Sequence, residues 1–171
     1  MGLQLILNNR ASLNWGLTDS LKVAFPLTIP VARVRVKDKL EILSADWLTG
    51  FCTGESNFFM VISGGYAWLR FSVAQEVRDI LLLENIVRHF NCRYVNKYNN
   101  RKVCEFVLTK INDIILNIIP FFDKYPIQGS KYKNYMYFKQ AAYIINSKTH
   151  LTKKGMDKII ELKNLMNKTE E

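Results

Sequence analysis

The stretch W-L-T-G-F-C-T-G-E-S-N-F-F, residues 47–59, changes character at Glu55. Before it, small residues recur at helical spacing. Gly50 and Gly54 stand one turn apart with Thr49 and Thr53 beside them, so a helix here presents a stripe almost bare of side chain. Another backbone can pack closely on such a stripe. After it, Asn57-Phe58-Phe59-Met60-Val61-Ile62 reads as a strand. The Glu55 carboxylate therefore falls at a junction between helix and sheet. The Gly-x-x-x-Gly spacing by itself also marks ordinary helix crossings.

The longer string Leu48-Thr49-Gly50-Phe51-Cys52-Thr53-Gly54-Glu55-Ser56 resembles the nine-residue signature of the LAGLIDADG homing endonucleases, in the divergent form carried by intron-encoded enzymes of fungal mitochondria. Glu55 falls on the functional acid. Thr53 stands at the first acidic position and Ser56 at the terminal glycine. Leu13-Asn14-Trp15-Gly16-Leu17-Thr18, Ala24-Phe25-Pro26, and His150-Leu151-Thr152 with Gly155 also look like family landmarks. In double-motif members the first of these runs belongs to the linker after the first half. On that placement, residues 1–41 are a helix remnant and basic linker, and 42–171 are a single domain.

The resemblance implies an α+β fold, an α-β-β-α-β-β-α half with a four-stranded antiparallel sheet facing DNA and helices on the other face. It implies a site-specific, metal-dependent DNA endonuclease of mitochondrial residence. In the family two motif acids act with Mg2+ and cut both strands across the minor groove. Glu55 is then the metal ligand and catalytic acid, and Gln75 and Lys97 match positions near the active site. A one-residue slip would exchange Lys97 with Asn96. One Glu cannot surround a metal centre alone, so a homodimer through Thr49, Gly50, Thr53 and Gly54 is expected to bring two copies of Glu55 together.

The rest of the chain is read from its periodicity. Asn57–Ile62 and Tyr66–Ala74 flank Ser63-Gly64-Gly65 as a tight hairpin, and a second hairpin joins Arg93–Tyr98 to Lys102–Thr109 across Asn99-Asn100-Arg101. Between them Ile80, Leu83, Ile86, Val87 and Phe90 form one helical stripe. Helical patterns follow at Ile111–Ile119, Lys131–Asn146 and Lys153–Met166. Alternation turns Ala67, Leu69, Phe71 and Val73 inward. It leaves Asn57, Phe59, Val61, Tyr66, Trp68, Arg70, Ser72, Tyr94, Asn96, Tyr98, Val103, Glu105, Val107 and Thr109 on a free face. As candidate DNA contacts these include Asn57, Phe59, Trp68, Arg70, Ser72, Tyr94, Asn96, Tyr98 and Glu105. Arg70, Asn57 and Asn96 can form the paired hydrogen bonds that distinguish base edges, whereas Phe59 and Trp68 offer apolar contact. Packing on a neighbouring element or second subunit explains the same residues as well.

Twenty-four Lys and Arg against 15 Asp and Glu give a formal charge of +9, which favours an anionic partner such as double-stranded DNA. Arg33, Arg35, Lys37, Lys131, Lys133, Lys153 and Lys154 contribute to short basic groups that equally suit solvated faces. Cys52, Cys92 and Cys104 lack the paired spacing of a zinc site and read as core residues. No apolar stretch reaches about 18 residues, and the N-terminus lacks a secretory pattern. Two other classes stay open: a nucleic-acid-binding half without cleavage or an RNA-splicing maturase, and a basic scaffold whose helix only dimerises.

Overall fold

A computed structural model of the 171-residue chain describes residues 2–13, 16–31, 44–91, 95–98 and 102–166. The chain divides into two compact units, Met1–Lys37 and Asp38–Glu171. The expected boundary at 41/42, the basic residues Arg33, Arg35 and Lys37, and Tyr94, Cys92 and Arg93 lie outside the described residues.

The first unit carries α1 (Gly2–Ala11) and α2 (Asp19–Ala24). Thr18 caps α2, its hydroxyl accepting from the Leu21 amide. The extended segment beyond Phe25 returns to α1, where Ser12 Oγ donates to the Val31 carbonyl at 2.8 Å and Asn8 Oδ1 accepts from the Ile29 amide at 3.2 Å.

The second unit opens with α3 (Ala45–Glu55), capped by Ser44, whose hydroxyl accepts from the Trp47 amide. The chain passes without a loop into β1 (Ser56–Ser63), then β2 (Tyr66–Glu76), α4 (Ile80–His89), β3 (Val95–Tyr98) and β4 (Val103–Leu108). A helical run follows, made of α5 (Ile111–Asp113), a π-helical segment (Ile114–Ile118) and α6 (Ile119–Lys124). Two longer helices, α7 (Lys131–Asn146) and α8 (Lys153–Met166), complete the unit. Gly64 and Gly65, at φ +57° and +79°, make the two-residue turn between β1 and β2, the backbone that a tight hairpin requires.

The four strands form one antiparallel sheet in the order β1-β2-β4-β3. Ala67, Leu69, Phe71 and Val73 are buried as alternation requires. Their face packs beneath α4, α7 and the Ile111–Lys124 run through an aromatic core. Phe58 sits at its centre, with ring centroids 5.2 Å from Phe71, 5.8 Å from Phe122, 5.6 Å from Tyr135 and 5.1 Å from Phe138. The opposite face carries no helix-facing alternation set. Trp68 (40% exposed) and Phe59 (45%) lie open there.

Thr152 caps α8, its Oγ1 accepting from the Gly155 amide at 3.1 Å. Gly155 is buried, and a Cβ added to it would collide with the Thr149 carbonyl. Glycine is thus required by a close approach of α8 to the preceding turn. Gly155→Ala should lower stability by about 1–3 kcal/mol through overpacking. Lys154→Ala, one residue away and exposed, should stay within about 0.5 kcal/mol. Urea denaturation of the two variants checks the contrast.

Candidate active site and open sheet face

Glu55 is the last residue of α3 and is exposed. Its carboxylate accepts from Gln75 Nε2 at 3.3 Å. That bond brings together two residues separated by the whole first hairpin. Gln75 lies opposite Cys104 on β4, and Cys104 lies opposite Lys97 on β3. Lys97 is therefore two strand spacings from Gln75, about 10 Å, and exposed. The register also settles the facing of its neighbour: Asn96 pairs with Glu105 on the open face, and Lys97 belongs to the row of Gln75.

A carboxylate at a helix C-terminus faces the negative end of the helix dipole. The compensating cation is Lys131, the first residue of α7. Its ammonium donates to three carbonyls at the end of α3 and the start of β1: Cys52 at 3.3 Å, Gly54 at 3.0 Å and Ser56 at 2.7 Å. These satisfy the three donors of an ammonium group. Burial depresses the Lys131 pKa, with the nearby Glu55 carboxylate partly opposing that effect. The basic group at 131–133 reads as a solvated face in the sequence, yet one of its members is a helix cap. A clue exists in hindsight, since a lysine at a helix N-terminus opposes the dipole there.

The small-residue stripe divides into two parts. Gly50 and Gly54 are exposed and have nothing within 4 Å of an added Cβ. Trp47, on the same helical face, is 45% exposed and stacks on Phe51 with ring centroids 5.1 Å apart. Thr49 and Thr53 depart from the expected interface. Thr49 is buried and its hydroxyl donates to the Tyr125 carbonyl at 3.4 Å. Thr53 Oγ1 donates to the Thr49 carbonyl at 2.8 Å and accepts from the Gln128 amide at 3.4 Å. Both threonines hold α3 to the chain's own segment before α7.

On the open face Arg70 and Glu105 form an ion pair. Arg70 Nη2 donates to both Glu105 oxygens at 2.6 Å, and Tyr98 Oη donates to Glu105 Oε2 at 3.0 Å. The guanidinium carbon lies 5.9 Å from the centre of the Phe59 ring. Glu105 is nearly buried, so its carboxylate serves the pair and is not presented as an independent contact. Ser72 also departs from expectation, being fully buried between Asn57 and Val107 on the flanking strands. A small side chain in a central strand is closed over by its larger neighbours. Two buried polar atoms here, Ser72 Oγ and Arg70 Nε, have no hydrogen-bond partner. Asn57, Phe59, Trp68 and Tyr98 are exposed and Asn96 half-buried.

Cys52 and Cys104 are free and buried; burial pushes the Cys52 thiol up to about 12, against the opposing charge of Lys131. That value suits a core residue and not a nucleophile. Among the described residues no group of three His, Cys, Asp or Glu side chains is gathered as a metal site, and no helix is long and apolar enough to cross a membrane.

Solved proteins share this architecture. I-SmaMI, a LAGLIDADG homing endonuclease bound to cleaved DNA, superposes with a TM-score of 0.83 at 35% identity, over 97% of this chain and 57% of that one. The LAGLIDADG homing endonuclease I-GzeII in complex with its DNA target gives 0.83 at 38% identity, over 96% and 57% of the two chains. The model of the LAGLIDADG endonuclease family matches residues 48–142. A probable intron-encoded endonuclease 2 of Neurospora crassa is 57% identical over 95% of this chain and 38% of its own length. The chain belongs to the LAGLIDADG endonuclease family. It spans well under two thirds of the length of these relatives.

The Arg70–Glu105–Tyr98 cluster makes a direct prediction for stability. Glu105→Gln removes the charge that holds Arg70 and leaves a partly buried guanidinium without its acceptor, which should cost about 1–3 kcal/mol. Tyr98→Phe removes one bond to the same carboxylate and should cost less. Chemical denaturation with an unchanged midpoint for both variants would show that the cluster does not support the fold.

Proposed function

We propose that this chain is the DNA-cleaving half of a site-specific endonuclease, and that Glu55 is its metal-binding catalytic acid. The observation that carries the reading is the position of Glu55: an exposed carboxylate at the end of a helix whose bare Gly50–Gly54 stripe is open to a second backbone. Close packing of two such helices brings two acids to one point. Two hard oxygen ligands facing each other suit Mg2+.

When bound there, Mg2+ supplies a polarised water and neutralises charge developing on the phosphate. The protein's own groups then have separate tasks. Glu55 holds the metal and Gln75, bonded to it, orients the carboxylate and has a second amide hydrogen with which to fix a water. Lys97, exposed at the end of the Gln75–Cys104 row and not on the open face, offsets charge only where the phosphate reaches that edge of the sheet. The open sheet face lies along the duplex. Arg70, held rigidly by Glu105, presents a guanidinium to a base edge, while Asn57 and Asn96 offer amides and Trp68 an apolar surface. The family relationship and the DNA complexes of the structural relatives support this reading. The intron-encoded relatives, one of them encoded in an ND4 intron of Podospora anserina, support a mitochondrial gene.

The partner helix is an identical chain in this reading, giving a homodimer on a near-palindromic site. The share of the relatives' length that this chain spans favours a second arrangement, in which the other acid belongs to another half of a longer polypeptide. Sedimentation separates the two. A dimer of the 171-residue chain that Gly50→Leu converts to monomer supports self-pairing, and a monomeric parent supports the longer polypeptide.

Selection of cleaved sites from a randomised DNA library with Mg2+ tests the activity itself. Glu55→Gln keeps the size of the side chain and loses the charge that holds the metal. Cleavage should fall by at least a thousandfold while DNA binding in Ca2+ stays within about threefold. Metal-dependent cutting by that variant at the parent rate would refute the mechanism, and binding without cleavage by the parent would favour a non-cleaving half.

A further inference from the structure

We propose that Glu105 is a specificity-determining residue that acts on DNA through Arg70, by withholding that guanidinium from any contact that does not return two hydrogen bonds in a fork. The inference rests on the reading of the open sheet face as the DNA side. It concerns the discrimination between sites and not the chemistry at Glu55.

The strand register shows how the pair is built. Glu105 lies opposite Ala74, four residues along β2 from Arg70, and Ser72 falls between them on the same face. Four residues of strand amount to about 13 Å. Side chains that meet at 2.6 Å across that gap lie along the sheet and do not stand out from it. Ser72, small and fully buried, leaves room for the guanidinium to lie down. Phe59, opposite Arg70 on β1, borders the guanidinium at 5.9 Å from its ring centre. From β3, Tyr98 donates to the same carboxylate at 3.0 Å.

The consequence lies in which nitrogens are available. A paired contact to O6 and N7 of guanine uses two nitrogens of the planar fork. Nη2 is committed to both oxygens of Glu105, and Nε is buried. Nη1 is left, and one nitrogen does not supply the fork. Arg70 therefore has to leave Glu105 before it can read a base edge by paired bonds. That step separates a charge-assisted pair whatever the DNA sequence, and among the bases guanine is the one that returns two bonds to an arginine. Against other bases the guanidinium stays on the acid. A phosphate accepts the same fork, but it would come beside the Glu105 carboxylate, whose like charge opposes it. Tyr98 keeps a bond on that carboxylate after release, so the acid is not stranded.

The test measures binding of the full chain in Ca2+ to two duplexes of equal length, the site selected from the randomised library and a scrambled sequence, over a range of salt. Glu105→Gln keeps the size of the side chain and removes its charge. It should raise affinity for the scrambled duplex by about threefold or more and steepen the log–log dependence on salt by about 0.9, the value for one further phosphate contact. Its preference for the selected site should fall by about 5–150-fold, the loss of one guanine readout. Arg70→Gln should lose the same preference without steepening the salt slope. The double variant should bind the scrambled duplex within about twofold of Arg70→Gln alone, because the gain needs the arginine. General destabilisation has the opposite sign, since a partly unfolded variant binds every duplex less. Equal weakening on both duplexes would therefore overturn the proposal, and so would a Glu105→Gln variant with the parent's salt slope and site preference, or an Arg70→Gln variant that keeps the full preference. A parent that binds the two duplexes alike would overturn the reading of the open face itself, a failure distinct from that of Glu105.

Discussion

Helix α3 and strand β1 meet at the peptide bond between Glu55 and Ser56, with no connecting residue. The rest of the second unit is arranged around that constraint. A helix fused to a strand has little freedom in direction, so fixing β1 in the sheet also fixes the axis of α3. Ser56 enters register opposite Val73, and two residues later Phe58 reaches the aromatic centre of the core. Thr49 and Thr53 hold the buried side of the helix to the segment at Tyr125–Gln128, and Lys131 closes its end. What is left unpartnered by the unit is the side bearing Trp47, Gly50 and Gly54.

The open sheet face follows a different logic. Its centre holds a charged pair in which the acid is largely sheltered and the guanidinium is about one third exposed. Exposed ion pairs contribute little because solvent screens them and side-chain entropy opposes them. Here Phe59 and Tyr98 border the pair and limit that freedom. On the reading of this face as the DNA side, that restraint favours a selective contact over a merely attractive one.

Local order was legible in the sequence because it depends on short-range periodicity. The alternation at Tyr66–Val73 separated core from free face, and the Gly64-Gly65 pair announced its hairpin. The place of Glu55 at a helix–strand junction was legible as well, since the spacing around it is local. The pairing of Arg70 with Glu105 was not. It joins residues 35 positions apart and depends on the β2–β4 register, which no single strand encodes. The burial of Ser72 likewise depends on both flanking strands, and the inward roles of Thr49 and Thr53 on a loop over 70 residues away. Lys131 was hidden among other lysines, because a capping ammonium and a solvated one look the same until the carbonyls it meets are placed.

If the open face lies along DNA as proposed, the hairpin closed at Gly64-Gly65 sets a length scale for recognition. It ends β1 after eight residues and begins β2, which runs for eleven. At about 3.3 Å per residue β2 extends about 36 Å, equivalent to about ten base pairs of a B-form duplex. Every second side chain of that strand points to the open face, and Ser72 is closed over, so it can carry at most five of them past those base pairs. Such a strand underdetermines its target, and any discrimination beyond its own positions has to come from its neighbours in the sheet or from the ease with which the duplex deforms. On that reading, a target tracked by this strand tolerates sequence variation at the base pairs its side chains do not reach.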